Sequence, residues 1–103
     1  MRDNVPDIIR AHEEMPTTRI MDTDEYRREL LYKLIEESEE ARQAGFDDAN
    51  RKEVLEELAD VAEVLDAILV EFGISKDELQ SVQDMKRNER GGFKNKIFLE
   101  SVQ

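Results

Sequence analysis

Two segments with helical periodicity carry carboxylates inside stripes that should be apolar, and this conflict constrains the fold more than any other feature of the chain. On a helical wheel of about 100° per residue, Glu37 falls inside the apolar arc of the first segment. Glu57 falls inside the arc of the second segment, while Glu40 and Asp60 lie at the arc edges. Burying an ionised carboxylate is costly unless it is paired or bound to a metal. The four acids therefore predict a divalent-cation site.

Residues that typically begin or end helices predict a short helix over 6–14 and two long helices over 23–44 and 51–72. A further helix runs from Ser75 to just before Gly91. Three residue pairs have capping-box spacing at helix starts: Asp22 with Glu25, Asn50 with Glu53, and Ser75 with Glu78. Gly45 and Gly73 are placed to end the two long helices.

The loop over 46–49 is short, so the two long helices are predicted to form an antiparallel hairpin. In such a hairpin the acidic pair Glu37 and Glu40 lies at the same height as the pair Glu57 and Asp60, and the two pairs can share an ion. Segments 18–21 and 93–102 have extended character and could form a short strand pair near the termini. We therefore predict an all-α fold, a helical hairpin with short flanking helices, in one domain over 1–103.

The composition of the chain indicates which binding partners to expect. The chain has 103 residues, a net charge of -11 and no cysteine. This charge argues against a nucleic-acid polymer as partner, because phosphate backbones need clustered Lys and Arg. No apolar run or signal sequence predicts a membrane partner, so a cytoplasmic location is expected. A small domain with a wide apolar face also favours self-association.

Carboxylates without imidazole or thiolate suit Mg²⁺, with Mn²⁺ as a substitute, and such sites commonly use substrate phosphates as further ligands. A nucleotide is therefore the expected substrate. Di-iron bundles are the main rival on this geometry, but they need Glu-x-x-His motifs, and the only histidine is His12, outside the long helices.

Three basic residues are candidate phosphate ligands. Lys33 lies four residues before Glu37, where it could equally form an intrahelical ion pair. Lys86 and Arg90 lie on one side of the last helix, just before Gly91-Gly92. Their charge could instead stabilise the helix C-terminus.

The segment Lys33-Leu-Ile-Glu-Glu-Ser-Glu-Glu40 followed by Glu57-Leu-Ala-Asp60 resembles the EExxE and ExxD motifs of MazG-like, all-α nucleoside triphosphate pyrophosphohydrolases. Glu36, Glu37 and Glu40 match the first motif. The ends of the chain, including Arg90-Gly91-Gly92-Phe93, are similar to the phosphoribosyl-ATP pyrophosphohydrolase-like subgroup. That subgroup commonly has a lysine where this chain has Asn4.

The resemblance implies Mg²⁺ bound by Glu37, Glu40, Glu57 and Asp60, and cleavage of a nucleotide between its α and β phosphates. Removal of unwanted nucleotides is the implied role. Glu36 or Glu40 is the candidate general base for the attacking water. The resemblance also implies a four-helix bundle formed by a homodimer or homotetramer. The alternative function is a non-catalytic acidic helical module that docks a basic partner or senses nucleotides.

Overall fold

A computed structural model describes residues 1–46 and 50–103 of the chain. The described part is all-helical, as predicted. Its helices are α1 (Val5–Ala11), α2 (Thr23–Phe46), α3 (Arg51–Glu71) and α4 (Lys76–Arg90). Of the loop predicted over 46–49, Phe46 is the last residue of α2, and the other three positions lie outside the described residues.

The three longer helices begin where the capping residues predict. The Asn50 side chain accepts hydrogen bonds from the backbone N–H groups of Lys52 and Glu53, at 2.9 and 3.4 Å. Ser75 and Glu78 form a complete capping box. These contacts satisfy donors that the first helical turn leaves unpaired.

The capping box predicted at the start of α2 forms only in part. Asp22 accepts a hydrogen bond from the Glu25 backbone N–H at 2.9 Å. The Glu25 carboxylate turns instead to Arg19, with which it makes two hydrogen bonds of 2.6 Å. This bidentate contact to the Arg19 guanidinium lowers the pKa of the Glu25 carboxyl below its ordinary value.

Gly73 ends α3 as predicted. It has a φ of +65°, and the N–H groups of Gly73 and Ile74 donate to the carbonyls of Val70 and Leu69, at 3.2 and 2.9 Å. This is a Schellman motif, which favours glycine at the left-handed position. A short turn therefore joins α3 to α4.

Two predicted helix ends were wrong. Gly45 lies inside α2, which extends to Phe46, because glycine permits the left-handed conformation without imposing it. The first helix ends at Ala11 rather than near Glu14, since Glu13 adopts a φ of +62°.

The antiparallel hairpin of α2 and α3 is the packed centre of the chain. At one end of this pair, Arg27 near the start of α2 donates to Glu71 at the end of α3, at 3.0 Å. The same guanidinium lies 5.2 Å from the centre of the Phe72 ring. Further along, Glu37 of α2 comes level with Glu57 of α3. The hairpin therefore brings the acidic residues of both arms together.

The predicted strand pair near the termini was wrong. In the described residues, 18–21 and 93–102 contain no strand. Lys96 adopts a φ of +59° and its N–H donates to the Phe93 carbonyl at 3.1 Å, which forms a turn inside the second segment. Ile20 is 96% exposed and Ile97 is 86% exposed, so neither segment has the neighbouring strand that β-structure needs.

The chain leaves much of its surface in water. Its radius of gyration is 17.9 Å, against about 13 Å for a compact domain of this length. Its accessible surface is 9534 Å², whereas a compact monomer of this mass has about 6,000 Å². Among the described residues, Leu69 is the one apolar residue that is buried. The apolar face of the hairpin is therefore not covered within one chain.

Within the described residues, no helix is both long enough and apolar enough to cross a lipid bilayer.

We expect the Asn50→Ala variant to lose about 1 kcal/mol of unfolding free energy, because two N–H groups at the start of α3 lose their acceptor. Urea denaturation followed by circular dichroism measures this loss. Asn88→Ala is the matched control, since Asn88 is exposed inside α4 and caps no helix. An equal effect of both substitutions would contradict the capping role of Asn50.

Candidate metal centre

Three glutamates from the two arms of the hairpin form a cluster of carboxylates. Glu37 and Glu40 come from α2 and Glu57 comes from α3, and one oxygen of each lies within 4.8 Å of the others. The i, i+3 spacing places the two α2 residues on one side of that helix. Three of the four predicted metal ligands are therefore brought together.

Burial is what distinguishes this cluster from a solvated acidic surface. Glu37 is only 8% exposed, and Glu57 is half-buried. One carboxylate oxygen of each, Oε2, is shielded from solvent and has no hydrogen-bond partner. A buried polar atom without a partner costs free energy comparable to a lost hydrogen bond or more. Two members of the same cluster therefore each have one carboxylate oxygen available to a cation.

Glu40 differs from its neighbours because it is exposed to solvent. It lines a small cleft together with Lys33, Glu37 and Asp60. A carboxylate in this position can contact both a bound cation and a water molecule entering from the cleft. This placement favours Glu40 over the buried Glu37 for proton transfer.

Asp60, the fourth predicted ligand, lies beside the cluster rather than in it. Its Oδ1 accepts a hydrogen bond from Nη2 of Arg2, which precedes α1. Asp60 still lines the same cleft as Glu37 and Glu40. The carboxylate is therefore near the cluster but is paired with a side-chain cation.

Lys33 makes the intrahelical ion pairs that its spacing allows. Its Nζ lies 3.2 Å from Glu36 Oε2 and 3.4 Å from Glu37 Oε1. The hydrogen bond to Glu36, and after it the hydrogen bond to Glu37, raises the pKa of Lys33 above its ordinary value against the opposing effect of burial. Lys33 therefore remains charged, and its contact holds the Glu37 carboxylate in place.

Glu36 is exposed, and its carboxylate pairs with Lys33. Among the described residues, the group of acids that can share an ion does not include it. Its candidate role as general base stays a prediction, for which the structure provides no contact.

A larger cleft of about 590 Å³ adjoins the cluster, between the N-terminal segment and the hairpin. Ligand pockets commonly have volumes of about 300–1,000 Å³. The lining of this cleft includes charged side chains, among them Arg2, Lys33 and Glu37, and apolar side chains, among them Ile8, Met21, Tyr26, Leu30 and Val64. The cleft therefore offers both charged and apolar contacts to a ligand.

Lys86 and Arg90, predicted as phosphate ligands, lie on α4 and are exposed. Neither lines the cleft beside the glutamates. A contact between these residues and phosphate therefore stays a prediction.

Arg2 is the site residue that sequence reasoning missed. Its contact with Asp60 joins positions 58 residues apart, and no local periodicity encodes such a pairing. The sequence feature that could have identified Arg2 as a site residue is the Arg-Asp pair that it forms with Asp3.

The donor set fits a hard divalent cation. All three ligand groups are carboxylates, which suit Mg²⁺ and Mn²⁺, and two of them hold the unpartnered oxygens described above.

Comparison of the chain with protein-family models, with curated proteins and with solved structures gives no match.

We expect Glu37→Gln to raise the unfolding free energy in EDTA by about 1 kcal/mol, because it removes a buried charge that lacks a full set of partners. Urea denaturation measures the change. Glu56→Gln is the matched control on α3, since Glu56 is exposed. In excess Mn²⁺ the native protein should have the higher unfolding free energy, because ion binding stabilises it and the variant has lost a ligand.

A destabilising effect of Glu37→Gln in EDTA would show instead that the carboxylate is satisfied without an ion.

Proposed function

We propose that this protein is a divalent-metal-dependent hydrolase that cleaves a nucleoside triphosphate, or a related nucleotide, between its α and β phosphates. The products are the nucleoside monophosphate and pyrophosphate, and the biological role is removal of unwanted nucleotides. The observation that carries the proposal is the pair of shielded, unpartnered oxygens on Glu37 and Glu57 beside an open cleft. The choice of nucleotide and of the bond cleaved rests on the resemblance of the two acidic motifs.

The metal ligands in this proposal are Glu37, Glu40 and Glu57, with Asp60 as a fourth. When Mg²⁺ is bound, it supplies positive charge that neutralises the phosphates and stabilises the transition state. The packing of α2 against α3 holds the three glutamates in position, so the hairpin preorganises the site. Lys33 supports it from one turn away by holding Glu37 Oε1.

Glu40 is the general base in this proposal. Its carboxylate accepts a proton from a water molecule as the water oxygen attacks the α-phosphorus. The bond between the α-phosphorus and the bridging oxygen breaks, and pyrophosphate leaves with the electron pair. The exposed position of Glu40 supports this role, because water reaches it from the cleft.

We also propose that the active form is a homodimer or homotetramer in which two hairpins pack as a four-helix bundle. Exposed apolar side chains lie at helical spacing on both arms of the hairpin: Leu31, Ile35, Leu55, Leu58 and Leu65. None of them lines the cleft. The accessible surface exceeds that of a compact monomer by about 3,500 Å², and the apolar face of the hairpin is part of this excess.

The alternative proposal is a non-catalytic module that binds a basic partner or senses a nucleotide. The exposed apolar surface is compatible with it, but the unpartnered carboxylate oxygens are better explained by a bound cation. Measurement of turnover separates the two functions.

We expect pyrophosphate release from at least one nucleoside triphosphate in the presence of Mg²⁺ or Mn²⁺, across ordinary, deoxy and oxidised nucleotides. Glu57→Gln should lower the rate by about a hundredfold or more, since a ligand that stabilises the transition state is lost. Helicity and oligomer mass should not change. Glu56→Gln is the adjacent control, with an expected rate close to that of the native protein.

Pyrophosphate release that persists unchanged in Glu57→Gln would refute the proposed site. Absence of turnover on every nucleotide, with retained binding, would favour the sensing module.

We expect Leu58→Asp to shift the protein from oligomer to monomer, because a charge at the centre of the apolar face costs free energy when it is buried between subunits. Analytical ultracentrifugation measures the mass. Val70→Asp is the control on the same helix, since Val70 is exposed and lies off the face formed by Leu55, Leu58 and Leu65. A native protein that sediments as a monomer would contradict the bundle.

A further inference from the structure

Arg2 brings a side-chain cation from the N-terminal segment to the edge of the carboxylate cluster. Its guanidinium donates to Asp60 Oδ1, and both side chains remain partly exposed, at 57% and 41%. An ion pair in this setting contributes little to stability, because water and salt screen it. The contact is therefore exchangeable when a stronger partner for either group arrives.

The cleft around this pair is short of cations. Its lining holds five carboxylates but only two basic side chains, Arg2 and Lys33. Lys33 is bonded to Glu36 and Glu37 of its own helix. Lys33 is therefore already paired with carboxylates, and an anionic ligand in the cleft needs a second cationic side chain to bind to.

Arg2 has the chemistry that such a ligand requires. A guanidinium binds phosphate through two parallel hydrogen bonds and stays charged at any physiological pH. It lies beside Glu37 and Asp60 in the smaller cleft and also lines the larger one. From this position it is adjacent both to the proposed metal ligands and to the space for substrate.

We propose that Arg2 is a substrate-binding residue that exchanges partners during ligand binding. In the free protein it neutralises Asp60. With Asp60 engaged as a metal ligand, the Arg2 guanidinium would be free to bind a phosphate of the substrate. This inference rests on the proposed function, since it assigns a further ligand to the same site.

Arg2 therefore competes with the metal for one carboxylate but assists binding of the phosphates. An arginine with only a structural role would act on both ligands in the same direction. Opposite effects therefore show that the Arg2 charge acts on the site itself, and only partial recovery by Arg2→Lys shows that the guanidinium contacts the phosphate.

The test is isothermal titration calorimetry of the full chain, first with Mn²⁺ alone and then with inorganic pyrophosphate in excess Mn²⁺. Pyrophosphate is a suitable probe because it carries no base. For Arg2→Gln we expect Mn²⁺ to bind about two- to fivefold more tightly, as a competing ion pair is lost. Pyrophosphate should bind about tenfold more weakly, as a charge-assisted contact is lost.

Arg10→Gln is the matched control, because Arg10 lies on α1 and pairs with Asp7 of the same helix. Both affinities should equal those of the native protein. Arg2→Lys should recover part of the pyrophosphate affinity, since the charge is kept but the two-pronged geometry is lost. Circular dichroism verifies that each variant keeps its helix content.

If the native chain binds Mn²⁺ but Arg2→Gln matches it for both ligands, the role of Arg2 is refuted and the metal centre stands. Weaker binding of both ligands, or tighter Mn²⁺ binding with unchanged pyrophosphate binding, also refutes it. If the native chain binds no Mn²⁺, the metal centre fails, and the exchange fails with it.

Discussion

Burial of a carboxylate between two packed helices is the constraint on which the rest of the structure depends. Glu37 is held between α2 and α3 with one oxygen bonded to Lys33 and the other without a partner. An apolar residue at this position would make a better hairpin, because an incompletely paired buried charge costs stability. The chain places a second such group, Glu57, on the opposite arm. The packing is thus suboptimal for the fold alone but suited to enclosing a cation.

The electrostatics of the cleft follow from this arrangement. Several carboxylates converge where both a metal and a polyphosphate are proposed to bind, and the chain as a whole has a net charge of -11. Without added cations the site would repel an anionic substrate. Arg2 and Lys33 provide local positive charge from two different elements, the N-terminal segment and α2. Their ion pairs offset part of the negative charge of the free site, which limits repulsion among the acids.

Local patterns were sufficient to predict the helices and the inward direction of Glu37 and Glu57. Asn50 and Ser75 cap helices because their side chains satisfy adjacent backbone donors, and Gly73 ends one because it takes the left-handed conformation. These are interactions between close neighbours in sequence. The contact between Arg2 and Asp60 depends on how the N-terminal segment folds over the hairpin, which no spacing rule contains. Gly45 was misread for a related reason, since a residue that allows a turn does not require one.

The cleft and the exposed apolar side chains involve different residues of the same two helices. Residues such as Leu58 and Ile35 are outside the cleft lining, whereas Tyr26, Leu30 and Val64 contribute to it. Substitutions in the lining can therefore change the shape and charge of the cleft while the exposed apolar surface is retained. The two surfaces of this hairpin are free to vary independently of each other in sequence.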